Sequence, residues 1–375
     1  MLFGSGAIGG TVHLNNDISF KEKEKHNLLL NYGSFNSKHI SYDFVKSSAK
    51  NYFNFGIGYN SSDNDFKYLN SNLTNENGSF LNYNFDANFG YHINKRNKIK
   101  FYTNSFFADR NLSRTLNAPS NDSYKDISIK NLLEWDLSLS NKETITTRFS
   151  YIYDEFKFFD NNLNLNNFSI GKTNRKIAQL DYNNSISRKL KLNAILGFES
   201  VSADGSSFSS NKRTIFSGVL SLNQQLTNTL SYGVQFRKDV QNNFDSPFLY
   251  SLGVEQKFNK NYTLSFNTSK NFRVPTFNDF YWQPGGNINL KPEDSYQFEI
   301  GNALNFKNLS FHLNGFFIKS SDLIQWIPNS SNVWSPININ EARNVGVEFS
   351  ANYKKSFKSH FIELSSNYSY TDARD

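Results

Sequence analysis

From Leu81 to His92 the chain reads Leu-Asn-Tyr-Asn-Phe-Asp-Ala-Asn-Phe-Gly-Tyr-His. Leu81, Tyr83, Phe85, Ala87, Phe89 and Tyr91 alternate with Asn82, Asn84, Asp86, Asn88, Gly90 and His92. Successive side chains of a strand point to opposite sides, so this segment has one greasy face and one wet face. The same two-residue rhythm recurs at Phe53, Phe55, Ile57 and Tyr59, and at Leu230, Tyr232, Val234 and Phe236. One such strand suits a soluble sandwich. A chain built almost wholly of them needs somewhere to put its aromatic surface, and a barrel in an outer membrane provides it, with apolar residues toward lipid and polar ones toward a hydrated lumen.

Composition agrees. The 375 residues include 37 Phe and 20 Tyr, yet mean hydropathy is −0.59. Alternation produces that combination, because a polar neighbour dilutes each lipid-facing residue. No stretch approaches the roughly 18 consecutive apolar residues of a membrane helix. The absence of cysteine excludes a disulfide framework, a thiol nucleophile and a Cys-metal site. The net charge of +7 comes from Lys and Arg scattered through turns and strand ends rather than gathered in a stripe, which argues for solvated rims and anionic lipid headgroups and against nucleic acid.

Seventeen amphipathic segments are read as strands: 25–33, 38–46, 51–61, 81–92, 98–109, 125–139, 143–154, 173–186, 190–201, 212–225, 230–239, 247–258, 262–271, 293–305, 309–320, 341–353 and 358–371. Links from even to odd strands are tight, such as Asn94-Lys95-Arg96, Asn141-Lys142, Arg188-Lys189, Asn259-Lys260-Asn261 and Lys307-Asn308. Links from odd to even strands are mostly long: 62–80, 110–124, 155–172, 272–292 and 321–340, with a short exception near Ser34–Ser37. A sandwich has no reason to sort loops by strand parity, whereas an outer-membrane barrel has short turns on one rim and long loops on the other. An odd strand count leaves the first and last strands parallel, whereas bacterial single-chain barrels have an even number, and the unpaired backbone groups of an unclosed sheet cost several kcal/mol each in lipid. Further strands are therefore expected beyond Asp375.

Gly4-Ser-Gly6-Ala-Ile-Gly9 matches the glycine spacing of a dinucleotide loop, but no strand precedes it and Thr11-Val-His-Leu14 does not read as a helix, so that reading fails on context. Asp63-Asn64-Asp65 lacks the glycine and terminal glutamate of a calcium loop and reads as a solvated turn. The six histidines have no ligand spacing, and no GxSxG-type nucleophile motif occurs, so neither catalysis nor a bound cofactor is expected.

Several blocks carry a family resemblance. Phe3-Gly-Ser-Gly-Ala-Ile-Gly-Gly-Thr-Val-His-Leu14 resembles the end of the plug domain of TonB-dependent outer-membrane receptors. Asn271-Phe-Arg-Val-Pro-Thr-Phe-Asn-Asp-Phe-Tyr-Trp282, followed by Gly286-Asn-Ile-Asn-Leu-Lys-Pro-Glu293, resembles a strand-and-loop element of the same family. Asn344-Val-Gly-Val-Glu348 resembles a later strand, and Tyr370-Thr-Asp-Ala-Arg374 a strand end seen in its vitamin B12 receptors. The resemblance implies a plug remnant over 1–16 and an incomplete barrel over 17–375, with 17 of 22 strands present and the rest of the plug and the energy-coupling segment upstream of Met1.

It also implies a function for the complete protein. That function is energy-coupled uptake, through the outer membrane of a Gram-negative cell, of cobalamin or a chelated-metal complex such as an iron-siderophore. The implied partners are the TonB complex and membrane lipid. A passive porin is the alternative reading, and the plug-like segment argues against it. Without reference to any family, Pro275 marks a strand exit and Pro292-Glu293 a strand start, because proline cannot donate to a sheet ladder. Phe277, Tyr281, Trp282, Trp326 and Trp334 fall in the last two long loops and are the candidate ligand contacts.

Overall fold

A computed structural model describes residues 18–242 and 244–374. The proposed plug remnant at 1–16 lies outside them, as does the glycine-rich Gly4–Gly9 motif. The described chain is almost entirely strand. In order come β1 (Lys23–Gly33), β2 (Ser37–Ser47), β3 (Asn51–Ser62), β4 (Phe80–His92), β5 (Asn97–Asn111), β6 (Ser123–Ser138), β7 (Glu143–Phe159), β8 (Ser169–Ser187) and β9 (Leu190–Gly205). There follow β10 (Phe208–Gln225), β11 (Leu230–Gln241), β12 (Leu249–Lys257), β13 (Tyr262–Arg273), a short helix α1 (Phe277–Tyr281), β14 (Glu293–Asn305), β15 (Leu309–Pro328), β16 (Trp334–Phe357) and β17 (His360–Arg374). The strand count matches the sequence reading, because period-two alternation is a local signal. No helix of the described residues is long and apolar enough to cross a membrane.

The chain divides into two units, one of 18–180 and 197–214, the other of 181–196 and 215–374. In the first, β1 to β7 form an antiparallel meander in which each strand pairs with the next. In the second, the C-terminal half of β10 and β11 to β17 do the same.

Register puts like with like. In the first unit Phe53 pairs with Phe89, Phe89 with Phe101, Phe101 with Leu133 and Leu133 with Phe149, making an apolar row across five strands. These side chains are exposed, as are Tyr83, Phe85 and Phe107 on the same face. A continuous greasy surface on this scale is not compatible with water and fits acyl chains.

The opposite face is polar and internally paired. Asn88 donates to Asn54 at 3.0 Å and Asn104 to Asp86 at 2.7 Å. Lys100 meets Glu134 at 2.6 Å and Asp136 at 3.0 Å, and Glu134 also accepts from Arg148 at 2.7 Å. Ile18 and Phe20 lie over Gly90 on this polar face, and the Phe20 ring sits 4.1 Å from that of His92. The chain thus leads into its first strand along the wet side.

Even-to-odd links stay short throughout: 48–50, 93–96, 139–142, 188–189, 226–229, 258–261, 306–308 and 358–359. Side-chain acceptors close them, as when Asn94 Oδ1 takes the N–H groups of Arg96 and Asn97, and Asn259 Oδ1 those of Asn261 and Tyr262. The odd-to-even links are less uniform than expected. Segments 63–79, 112–122 and 274–292 are long loops, but the strands run well into 155–172 and 321–340, leaving links of only 160–168 and 329–333. Hydrogen bonding between neighbours carries these hairpins past the point where apolar alternation fades, a non-local effect that a window of sequence does not register.

Candidate functional site

In the second unit, the ends of β13 to β16 and the segment 274–292 build a compact platform on the long-loop side. Its base is an ion pair at the mouth of the β13–β14 hairpin, where Arg273 and Glu293 are direct register partners. The guanidinium donates through Nε and Nη2 to both oxygens of Glu293, and the backbone N–H of Ile324 in β15 adds a third donor at 2.7 Å. Glu293 is 1 % exposed, and these three donors offset the desolvation of its buried carboxylate. The Arg-Val-Pro and Pro-Glu elements are therefore two halves of one clamp, and Pro275 and Pro292 flank it as the strand exit and re-entry predicted from sequence.

The chain beyond Pro275 turns into α1. Thr276 is its N-cap, with Oγ1 accepting from the N–H of Asp279 at 3.1 Å, while Asp279 Oδ2 accepts from the N–H of Thr276 at 2.7 Å. This reciprocal box fixes the start of a helix far too short to persist alone. Asp279 has a second role: its Oδ1 accepts the indole N–H of Trp326 at 3.0 Å, fastening α1 to β15. The ring of Trp326 meets Trp282 edge-on at 5.5 Å. Phe280, buried, stacks on Phe244 from the link before β12.

The returning segment is tied down on β15 and β16. Asn287 donates to the carbonyl of Pro336 at 3.0 Å. Asn338 accepts from the Lys291 N–H at 2.8 Å and donates to the carbonyls of Lys291 and Asp322. Gly285 lies so close to the backbone of Trp334 that an added Cβ would come within 2.0 Å of its carbonyl oxygen. Only glycine permits that approach.

The five candidate contacts thus fall in one place, with roles that differ. Phe277 and Tyr281 lie on α1, rings 6.4 Å apart and half-buried, and Trp282 caps the helix. Trp326 and Trp334 are not loop residues, contrary to the sequence reading: Trp326 lies within β15, and Trp334 opens β16. The reason is the continued hairpin, in which Pro328 faces Trp334 and Trp326 faces Pro336. Trp326 is a fastener with a committed indole, whereas Trp334 is 57 % exposed and open to contact.

Residues that sequence reasoning did not select do much of the positioning. Asp279 and the Arg273–Glu293 clamp are foremost, and the spacing Thr276-x-x-Asp279 before an aromatic run was a readable capping signal. The first unit holds a second set. Asn77 Nδ2 donates to the carbonyls of Leu112 and Asp122, both at 2.9 Å, and its Oδ1 accepts from Asn162 at 2.9 Å. Asn75 donates to the Asn64 carbonyl at 2.8 Å and to Ser113 at 3.0 Å. Tyr68 donates to the Arg114 carbonyl at 2.6 Å. Links 63–79, 112–122 and 160–168 are so locked together by buried amides, and in a chain this rich in asparagine no local pattern marks which ones do it.

Comparison with known proteins places this geometry. Residues 25–375 match the family described as TonB dependent receptor-like, beta-barrel. The vitamin B12 transporter BtuB of Photobacterium profundum is 29% identical over 225 residues, 58% of this chain and 36% of that protein. The chain thus matches about a third of the length of that curated relative. Among solved structures, the copper transporter OprC superposes with a TM-score of 0.76 at 14% identity, over 95% of this chain and 62% of that one. The siderophore receptor PirA of Pseudomonas aeruginosa gives 0.71 at 13% identity, over 89% of this chain and 63% of that one.

Proposed function

Because the chain belongs to the TonB-dependent receptor-like β-barrel family, we propose that the protein carrying it sits in the outer membrane of a Gram-negative cell and takes up a scarce ligand by energy-coupled transport. The ligand class is cobalamin or a chelated metal such as an iron-siderophore complex, and the coupling partner is the TonB complex. The likeness to a vitamin B12 transporter over 58% of the chain favours the former. Residues 1–16 are proposed as the end of a plug domain and 17–375 as barrel wall.

The observation that carries this reading is the platform. Uptake of a dilute solute needs capture before passage, and capture needs a preorganised surface. Here Phe277, Tyr281, Trp282 and Trp334 are presented on backbone that the Arg273–Glu293 clamp, the Asp279 box and the Asn287 and Asn338 bonds hold in place. Large rings on such a support offer apolar area at little conformational cost, which suits a corrin or an aromatic chelator. No bond chemistry is assigned to any residue.

The test is titration of the detergent-solubilised protein, expressed from its complete reading frame, with cyanocobalamin and with ferric siderophores, read by tryptophan quenching. Cellular uptake is then measured with and without the coupling protein. Saturable binding of one ligand and coupling-dependent uptake are expected. High ohmic conductance in planar bilayers without any saturable ligand would instead establish a diffusion channel.

A further inference from the structure

The links on the short-turn side share a pattern that neither the fold nor the transport reading requires. At six of them an exposed apolar residue, in the link or at the end of the strand before it, is followed within three positions by one or two cations: Ile93 with Lys95 and Arg96, Leu139 with Lys142, Ile186 with Arg188 and Lys189, Phe258 with Lys260, Phe306 with Lys307, and Phe357 with Lys358. Link 226–229 has the apolar member alone, Leu226, and link 48–50 the cation alone, Lys50. The apolar members are between 42 % and 59 % exposed. Each is the last residue in the apolar row of its strand: Ile93 continues Tyr83, Phe85 and Phe89, and Phe306 continues Phe298, Ile300 and Leu304.

None of these links contains Asp or Glu. The links on the other side hold Asp63, Asp65, Glu76, Asp122, Asp160, Asp245 and Asp279 against Lys67, Arg114 and Lys291. The turn cations make no ion pair among the described residues, whereas those on the strands are widely paired, as with Lys98 and Lys100 to Asp136. Trp135 lies exposed in the same row as Leu139, as an interfacial ring would, and Lys355 sits 4.4 Å over the ring of Phe357.

We infer that in each unit the short-turn ends form a binding surface for anionic phospholipid headgroups of the leaflet they face, six of the links bringing an apolar side chain among acyl chains together with a cation at the phosphate level. The inference rests on the membrane-spanning reading above. Charge complementarity selects the lipid, since an unpaired lysine beside lipid-facing grease meets a phosphate at the depth where the acyl region ends. An acidic protein partner would explain the cations but not the apolar residue that precedes them on the lipid-facing side.

The test reconstitutes the protein, expressed from its complete reading frame, in phosphatidylcholine vesicles doped with spin-labelled phosphatidylglycerol or spin-labelled phosphatidylcholine. The motionally restricted fraction of each label is measured. Selectivity for the anionic label of about threefold or more at low salt is expected, falling toward unity in a variant with Lys95, Arg96, Lys142, Lys260, Lys307 and Lys358 changed to Gln. It should persist when the six carry the opposite basic residue (Lys→Arg, with Arg96→Lys), and when Lys67, Arg114 and Lys291 on the opposite side are neutralised. A restricted component without selectivity, or selectivity untouched by the Gln variant, overturns the lipid surface and leaves the membrane reading standing. Absence of any restricted component overturns both.

Discussion

Replacing Phe85 with arginine tests the feature on which the rest depends, the sidedness of the strands. Phe85 lies in the middle of β4, on the row with Tyr83 and Phe89, and is 36 % exposed on the apolar face. Its ring meets Phe55 edge-on at 5.6 Å. Arginine at the bilayer midplane of a barrel costs about 2–4 kcal/mol, and loss of the aromatic contact adds about 0.5–1.5 kcal/mol. A destabilisation of about 3–5 kcal/mol is expected.

Its neighbour Asn84 points to the polar face, where its amide covers Gly58 so closely that an added Cβ there would stand 2.2 Å from Oδ1. An arginine at 84 must leave that niche, but it extends into water, for a cost below about 1 kcal/mol. Urea-dependent equilibrium folding of the two variants into lipid vesicles, followed by tryptophan emission, measures both. Equal penalties, or a larger one for Asn84→Arg, would refute the assignment of faces.

Other expectations concern the loops. Arg273→Leu leaves the buried Glu293 carboxylate with the Ile324 N–H as its remaining donor; allowing for the partial exposure of the arginine, about 2–3 kcal/mol should be lost in the same folding assay. Trp326→Phe keeps most of the ring but removes the donor to Asp279, and should cost about 1–2 kcal/mol and raise amide exchange across α1. Trp334→Ala removes an exposed ring, so ligand affinity should fall roughly tenfold while folding stability moves by less than about 0.5 kcal/mol. Asn77→Ala unties three links at once: limited proteolysis should open 112–122 and 160–168 together, and cleavage confined to 63–79 would contradict the shared lock.

The alternation of Leu81 to His92, repeated along the chain, was enough to place the strands, their two faces and the parity of the tight turns. Each of these follows from the two-residue period of an extended backbone and from turn residues such as Asn94 and Asn259, which act within a few positions of themselves. Sequence also brought Phe277, Tyr281, Trp282, Trp326 and Trp334 to notice, but not their division of labour. That was decided by pairings over long separations: Asp279 with Trp326, Arg273 with Glu293, Asn287 with Pro336, and Asn77 with Asn162. A side chain's own neighbourhood in sequence says which way it faces, but whether its hydrogen-bonding group is spent on the scaffold or left for a ligand depends on what the tertiary fold sets opposite it. Trp326 and Trp334 differ in nothing a sequence reveals, yet one donates to a buried carboxylate and the other stands open.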